Sequence, residues 1–358
     1  MLPLVCGITR ILVFLSLANL VFACGSKTGF LIPPEPTADR DSGPGEGRDA
    51  GFDTFPCRWS YQGDVLLLSS DRSLSLPRGA VLPVGPTAMV AVELAGQTTL
   101  VGVNVASTPS VRWTQSEIPE GGAVYAVDNS FRRVRGCELE RWTLDGERAE
   151  PSSIEGCSRT FLSFSPQLGR RVAVWDGSAL AVIDAGTGAR IERVALVGAP
   201  DAFPLVAADG PALVTGDPFR VRYSGADVVI SDELGSLPGG APDRLRDGVI
   251  VAWSFRDSLR LARVERSGVV QDYDLSPVPG RRRLSPVTTN ETEALFVTEG
   301  GQVVFVPLSG TPLGVLEPLA EDVSAAHILL VDGGSAGGVV YIANRRSELR
   351  FRTMVCNR

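Results

Sequence analysis

Short hydrophobic runs separated by polar turns dominate the chain from Asp64 onward. Each run is rich in β-branched residues and is bounded by Gly, Pro, Asp or Asn, which predicts β-strands joined by tight turns. No convincing helix of twelve residues with a 3.6-residue period appears, so the predicted class is all-β. The runs include Val65–Leu68, Met89–Leu94, Leu100–Val105, Ala123–Val127, Val172–Trp175, Val228–Ser231, Val249–Trp253, Ala294–Thr298, Val303–Pro307 and Val339–Ala343.

The strand pattern repeats along the chain at a longer period. Residues 170–194 align with 293–319, which places Gly177 on Gly301 at an offset of 124, close to three units of about 41. Residues 248–264 have the same outline, about 80 residues after the first copy. Strand pairs starting near 65, 123, 172, 212, 249, 294 and 339 have a mean spacing of about 46. We therefore predict a β-propeller of about seven four-stranded blades, with six or eight blades, tandem β-sandwiches or a large barrel as alternatives.

One predicted blade carries a specific turn motif, Asp176-Gly177-Ser178-Ala179-Leu180 followed by Ile183-Asp184-Ala185-Gly186-Thr187-Gly188. This stretch resembles one repeat of the quinoprotein-like propellers, in which an Asp and a Thr-Gly turn close the outer hairpin of a blade. Arg190 and Ile191 stand where that family has an aromatic residue. The resemblance supports the fold and not quinone chemistry, because the motif is a turn.

The amino terminus has a different hydrophobic pattern. Arg10 precedes thirteen residues, Ile11 to Ala23, whose only polar members are Ser16 and Asn19. A membrane-spanning helix needs about 20 apolar residues, so this run predicts a secretory signal, with an uncleaved membrane anchor as the alternative.

The end of this run reads Val21-Phe22-Ala23-Cys24-Gly25-Ser26, which resembles the lipobox of bacterial lipoproteins. In that family the signal is cut before the cysteine, which is then acylated. The resemblance implies cleavage after Ala23 and lipidation of Cys24. Gly25 stands where an Asp would signal retention in the inner membrane. We therefore expect a lipid anchor in the outer membrane of a bacterial envelope, facing the periplasm or the cell surface.

A Pro-, Gly- and acid-rich segment follows the expected anchor. Such a sequence cannot bury enough apolar surface to offset its ordering entropy, so it is interpreted as a tether. The predicted organisation is a signal peptide at 1–23, the lipidated cysteine and tether at 24–56, and a propeller at 57–358.

Composition narrows the remaining chemistry. The 39 Gly and 25 Pro suit a turn-rich β protein, and a net charge of −7 argues against nucleic-acid binding. The only histidine, His327, is expected to be a hydrogen-bonded structural residue at a strand entrance. Gly333-Gly334-Ser335-Ala336-Gly337 matches a nucleophile-elbow pattern formally but is interpreted as a hairpin loop, because His327 precedes the serine. No catalytic residue, metal or cofactor is predicted.

The cysteines outside the export segment are expected to form disulfides, because the chain is addressed to an oxidising compartment. Cys137 and Cys157 flank one Gly-rich hairpin and are predicted to pair, which leaves Cys57 for Cys356. In a propeller the second bond would hold the first strand beside Leu349–Val355 and keep the ring closed, contributing about 5 kcal/mol. The absence of a CxxC pair argues against a zinc site built from the same cysteines.

Two arginine clusters and five tryptophans complete the candidates. Arg132, Arg133 and Arg135, and likewise Arg281, Arg282 and Arg283, are interpreted as solvated loop residues, with binding of a phosphate or acidic glycan as the alternative. The tryptophans, about one per blade, are expected to pack between blades; they are Trp59, Trp113, Trp142, Trp175 and Trp253.

The function predicted by elimination is that of a non-catalytic binding module. We expect a monomeric, lipid-anchored propeller that holds a protein, peptide or glycan partner on one face or in its channel. The alternatives are a propeller lyase or hydrolase that uses channel carboxylates, and a structural envelope protein. Several ionisable side chains converging at one channel mouth would favour the enzyme.

Overall fold

The computed structural model describes residues 57–357, with gaps at 78–80, 85, 120, 158–160, 197–201, 217, 232–238, 245, 256–257, 276–277, 279–281, 311–312 and 332–335. The described residues form seven antiparallel sheets. Each sheet is one blade, and consecutive blades follow one another along the chain. The predicted all-β class and the seven-bladed propeller are therefore confirmed, and tandem β-sandwiches are excluded. No helix able to cross a membrane occurs in the described ranges.

The strands are numbered in chain order, and each blade is given from its inner to its outer strand. Blade 1 contains β2 (Leu74–Ser75), β3 (Val81–Val84), β4 (Thr87–Leu94), β5 (Gln97–Asn104) and β6 (Ser110–Pro119). Blade 2 contains β7 (Ala123–Val127), β8 (Ser130–Arg135), β9 (Glu138–Trp142) and β10 (Arg148–Ser153). Blade 3 contains β11 (Ser163–Phe164), β12 (Arg171–Trp175), β13 (Ala179–Asp184) and β14 (Arg190–Ala195). Blade 4 contains β15 (Phe203–Ala207), β16 (Gly210–Thr215), β17 (Phe219–Tyr223) and β18 (Ala226–Ser231).

The remaining three blades follow the same order. Blade 5 contains β19 (Gly239–Pro242), β20 (Gly248–Phe255), β21 (Ser258–Glu265) and β22 (Gly268–Asp274). Blade 6 contains β23 (Thr288–Thr289), β24 (Glu293–Val297), β25 (Gln302–Pro307) and β26 (Gly314–Pro318). Blade 7 contains β27 (Ala325–Val331), β28 (Ala336–Ala343), β29 (Glu348–Asn357) and, as its outer strand, β1 (Arg58–Ser69).

The repeat found in the sequence corresponds to real blade positions. Gly177 and Gly301 occupy the same turn in blades 3 and 6, between the second and third strands, with φ of 89° and 74°. The two blades are three units apart, as the offset predicts. Residues 248–264 form the matching hairpin, β20 and β21, of blade 5.

The mean spacing of 46 residues is wrong, although the blade count derived with it is right. The second strands of the seven blades begin on average about 41 residues apart. The run Val65–Leu68, which the spacing predicts to begin the first blade, lies in β1 and belongs to blade 7. The seven predicted starting points therefore include two in blade 7 and none in blade 1, which contains Met89–Leu94 and Leu100–Val105.

The ring closes because β1 pairs with β29 in the last blade. The register places Trp59 opposite Cys356 and Ser69 opposite Glu348. Both predicted disulfides are present. The clasp disulfide joins Cys57 to Cys356, with 5.1 Å between their Cα atoms, at one end of this pairing.

Charged side chains add to the closure. The Asp64 carboxylate of β1 lies 3.3 Å from Arg350 Nε and 2.9 Å from Arg352 Nη2, both on β29. It also accepts a hydrogen bond of 2.9 Å from the Tyr341 hydroxyl on β28. The first strand is therefore held in blade 7 by backbone pairing, by a covalent bond and by this charged group.

The second strand of a blade is buried on both faces, since a neighbouring blade lies on each side. In β12, Val172 and Val174 pack with Tyr125 of blade 2, whereas Trp175 packs with Leu213 of blade 4. This two-sided burial explains why the runs in the sequence are continuously apolar rather than alternating.

The tryptophans lie between neighbouring blades, as predicted. Three donate indole hydrogen bonds of 2.8 to 2.9 Å across a blade boundary: Trp59 to the Glu293 carboxylate, Trp113 to the Leu144 carbonyl and Trp142 to the Gln115 amide oxygen. The other two pack against the adjacent blade, Trp175 beside Leu213 and Trp253 with its ring centroid 5.1 Å from that of Phe219.

Candidate functional site

The inner strands enclose a cavity on the ring axis, the axial cavity, of about 310 Å³. It lies at the end of the axis where the inner strands begin, since its lining includes the first residues of four of these strands. Every blade contributes to the wall, in blade order through Leu76, Ala123, Phe164, Phe203, Gly239, Thr288 and His327. Several of these side chains are only half-buried, so the cavity opens to solvent.

The wall of the axial cavity is mainly apolar, and its ionisable groups are few. Arg283 and His327 are the ionisable side chains among the described lining residues, and no carboxylate is found in that set. Seven chain segments meet here, and their described residues place one guanidinium and one imidazole in the wall, without a cluster of carboxylates. The lining combines apolar surface with one guanidinium and one imidazole.

Hydroxyl groups tie neighbouring blades together around the cavity. Thr288 Oγ1 of blade 6 donates to the Ile328 carbonyl of blade 7 at 3.0 Å, and Thr289 Oγ1 donates back to the Pro242 carbonyl of blade 5 at 2.9 Å. Ser163 Oγ of blade 3 donates to the Ala202 carbonyl beside blade 4 at 2.8 Å. These bonds fix the relative positions of the inner strands and hence the shape of the cavity.

A Ser-Pro pair shapes the wall in two blades. Ser165 Oγ accepts the Ala173 amide at 2.8 Å, and Ser285 Oγ accepts the Val297 amide at 2.7 Å. Each serine also donates to the carbonyl of the proline that follows it. The pairs lie 120 residues apart in blades 3 and 6, so this repeat was present in the sequence but was not recognised there.

His327 is the third residue of β27 and lies in the wall, with only 8% of its surface exposed. Its place near the start of β27 agrees with the expected strand entrance, and no hydrogen bond to its imidazole is found from the described residues. Burial lowers the pKa of His327 to about 4, and the ring is therefore neutral at pH 7. A neutral imidazole keeps one N–H donor and one acceptor, and both are costly to leave unused in a buried position.

Arg283, predicted to be a solvated loop residue like Arg281 and Arg282, lies instead in the wall of the axial cavity. Its Nη1 donates to the Ala252 carbonyl of blade 5 at 2.9 Å, and the side chain forms part of the cavity wall. A Cβ atom on Gly239 would overlap the guanidinium, so the glycine leaves the space that Arg283 occupies. Arg282 is exposed, as predicted, and Arg281 lies outside the described residues.

The other arginine cluster is not a solvated loop, and that prediction is wrong. Arg132 and Arg133 are buried in β8, with 6% and 1% of their surfaces exposed. Arg133 pairs at 3.4 Å with Glu140, which lies opposite it on β9 and is fully buried. Arg135 reaches the same carboxylate at 3.5 Å. Arg133 and Arg135 together neutralise an interior acid, which explains the burial of Arg133.

The remaining predicted residues are structural or lie outside the described part. Cys137 in the turn after β8 bonds to Cys157 beyond β10, with 5.5 Å between their Cα atoms; this is the hairpin disulfide. Asp184 closes the outer hairpin of blade 3, accepting the Gly186 and Thr187 amides. Cys24 and Ser335 lie outside the described residues. No group of ligands suited to a metal occurs within the described ranges.

Comparison of the sequence with known protein families and with characterised proteins finds no match. Solved propellers are nevertheless similar in fold. The WD40 domain of Neurospora crassa Pan2 is 11% identical with a TM-score of 0.54, and the match covers 84% of this chain and 96% of the Pan2 chain. The WD40 domain of Toxoplasma gondii coronin is 11% identical with a TM-score of 0.57, and the match covers 84% of this chain and 88% of the coronin chain. A catalytically inactive virginiamycin B lyase from Staphylococcus aureus, solved with quinupristin, is 12% identical with a TM-score of 0.56, and the match covers 83% of this chain and 99% of the lyase chain. At these identities the likeness shows a shared propeller fold and nothing about activity.

Proposed function

We propose that this chain is a lipid-anchored binding module of a bacterial envelope, whose ring holds a protein or peptide partner at the mouth of the axial cavity. The observation that carries the proposal is the cavity itself, an apolar recess with few polar groups to which all seven blades contribute. Recesses of this size and composition are typical ligand sites. WD40-type propellers commonly bind other proteins, which supports the same class of function.

The site at the mouth is tested by capturing envelope proteins with the ring and comparing two matched arginine variants. Leu76→Arg places a long charged side chain at the mouth, whereas Val270→Arg places the same side chain on the exposed outer strand of blade 5. We expect Leu76→Arg to abolish capture of the partner that the unmodified ring retains, and Val270→Arg to leave it intact. Capture that is lost in Val270→Arg alone would place the site on the outer strands. Retention of a glycan fraction instead of a protein would change the partner class.

The anchor is tested separately through the leader cysteines. Lipidation at Cys24 predicts that Cys24→Ala releases the chain from the membrane fraction and removes its sensitivity to globomycin. Cys6→Ala is the matched control, because Cys6 lies within the predicted leader. Membrane association and size that are unchanged in Cys24→Ala would exclude acylation at that position and favour an uncleaved anchor.

A further inference from the structure

The polar groups of the axial cavity define the chemistry of what enters it. The wall offers apolar side chains from several blades, the positive guanidinium of Arg283 and the buried imidazole of His327. A wholly apolar ligand would leave the imidazole without a hydrogen bond, which costs free energy in a buried position. A positively charged ligand would face Arg283. An apolar group that carries one negative charge matches all three features.

The ligand group must also fit the available volume. About 310 Å³ is at the lower end of the range of small-molecule sites, which suits one aliphatic or aromatic side chain with its charged end, not a folded segment. The guanidinium of Arg283, which also donates to the Ala252 carbonyl, is a planar cation whose geometry matches a carboxylate. His327, in the same wall, keeps one N–H donor when its ring is neutral.

We propose that the axial cavity binds an apolar group bearing a free carboxylate, with Arg283 as its ion-pair partner and His327 as a hydrogen-bond donor. Two sources supply this chemistry: a small aliphatic or aromatic carboxylic acid, or the C-terminal residue of a protein partner. The second source rests on the proposed function and would explain how the ring recognises a partner through a single residue.

The single histidine makes the test direct. The chain contains one His, so NMR of the full mature protein labelled in histidine gives one set of imidazole signals, and these come from the cavity wall. The probes are benzoate and hexanoate, their neutral amides, and a peptide ending in Phe with either a free carboxylate or an amidated terminus. We expect the carboxylates to shift the His327 signals saturably and the neutral amides to bind at least about tenfold more weakly, because a charge-assisted bond is lost.

Variants locate the carboxylate. Arg283→Gln is expected to weaken benzoate binding at least about tenfold, whereas its exposed neighbour Arg282→Gln changes it less than about twofold. Gly239→Ala keeps the charge but displaces the guanidinium, and is expected to weaken binding in the same direction as Arg283→Gln. The amide probes need no substitution, so the test does not depend on the folding of any variant.

The possible results separate this inference from the proposed function. Carboxylate probes that leave the His327 signals unchanged at about 10 mM, or amides that bind as tightly as acids, would overturn the inference. If Leu76→Arg still abolishes partner capture in that case, the proposed function stands alone. A peptide acid that binds at least about tenfold more tightly than benzoate supports a protein C-terminus as the source; equal affinities support a small acid.

Discussion

Removal of the clasp disulfide tests how the ring is closed. The variant Cys57→Ala/Cys356→Ala leaves the pairing of β1 with β29 and the contacts of Asp64 in place, so we expect it to fold. It removes a covalent link between residues 299 apart in sequence. The hairpin disulfide links residues only 20 apart. Cys137→Ala/Cys157→Ala is therefore a matched control, because it also removes one disulfide and replaces two cysteines by alanine.

The magnitudes follow from the lengths of the closed loops. In the chain-entropy account, a loop of about 300 residues corresponds to roughly 5 to 6 kcal/mol and a loop of about 20 residues to roughly 3 kcal/mol. The clasp variant is therefore expected to lose about 2 kcal/mol more stability than the hairpin variant. Its β1 amides are also expected to exchange faster, because opening of the ring then requires only the separation of β1 from β29.

The assay is urea unfolding followed by tryptophan fluorescence, together with hydrogen exchange of β1, on the oxidised mature protein and both variants. Three of the five tryptophans hydrogen-bond across blade boundaries, so the fluorescence reports separation of the blades. A hairpin variant as destabilised as the clasp variant, with β1 exchange unchanged in both, would refute the closing role of the Cys57 bond.

Three further predictions rest on particular side chains. Burial lowers the pKa of His327 to about 4 from 6.5, so between these pH values the unfolded chain binds more protons than the folded one. The free energy of unfolding is therefore expected to fall by roughly 2 to 3 kcal/mol between pH 7.5 and 4.5. Urea unfolding of His327→Gln is expected to show a pH dependence that is smaller by the same amount. Hydrogen bonds from Arg170 lower the pKa of Asp184 to about 2, so the contribution of the Asp184 carboxylate to stability is present above about pH 4 and lost as the pH falls through 2. Asp184→Asn is expected to lower the unfolding free energy by about 1 kcal/mol at pH 7, after solvent screening, and not to lower it below pH 2. An equal loss at both pH values would contradict an ionic role for this carboxylate. Trp59→Phe removes the indole bond to buried Glu293 and is expected to lower the unfolding free energy by about 2 kcal/mol, whereas a loss under 0.5 kcal/mol would show that this bond is dispensable.

The repeat could be predicted from the sequence because it depends on local signals. Gly177 and Gly301 mark the same turn because positive φ favours glycine there, and the flanking runs are apolar because both faces of the second strand are buried. The placement of β1 is not local, since its partner strand lies almost 300 residues away. Only the cysteines linked the two ends in the sequence, and they predicted the pairing of residues 57–61 with the last strand correctly.

The axial cavity could not be predicted in the same way. Its wall depends on the positions of seven inner strands, which are set only when the ring closes. The sequence pattern predicts a solvated Arg133 because the register that places Glu140 opposite it is not visible in the sequence. The place of His327 in the cavity wall is equally hidden, because nothing in its neighbourhood along the chain shows that β27 presents it to the axis. The Ser-Pro pairs at 165–166 and 285–286 are a repeated sequence feature that could have indicated residues of the cavity wall.

We propose that the ring binds its partner at the mouth of the axial cavity. Site-specific photo-crosslinking in intact cells tests this placement, with a benzoyl-phenylalanine side chain at Leu76 in the mouth or at Val270 on the outer edge of blade 5. We expect a discrete crosslinked partner from position 76 that is absent from position 270. Crosslinks from position 270 alone would contradict it and place recognition on the outer strands.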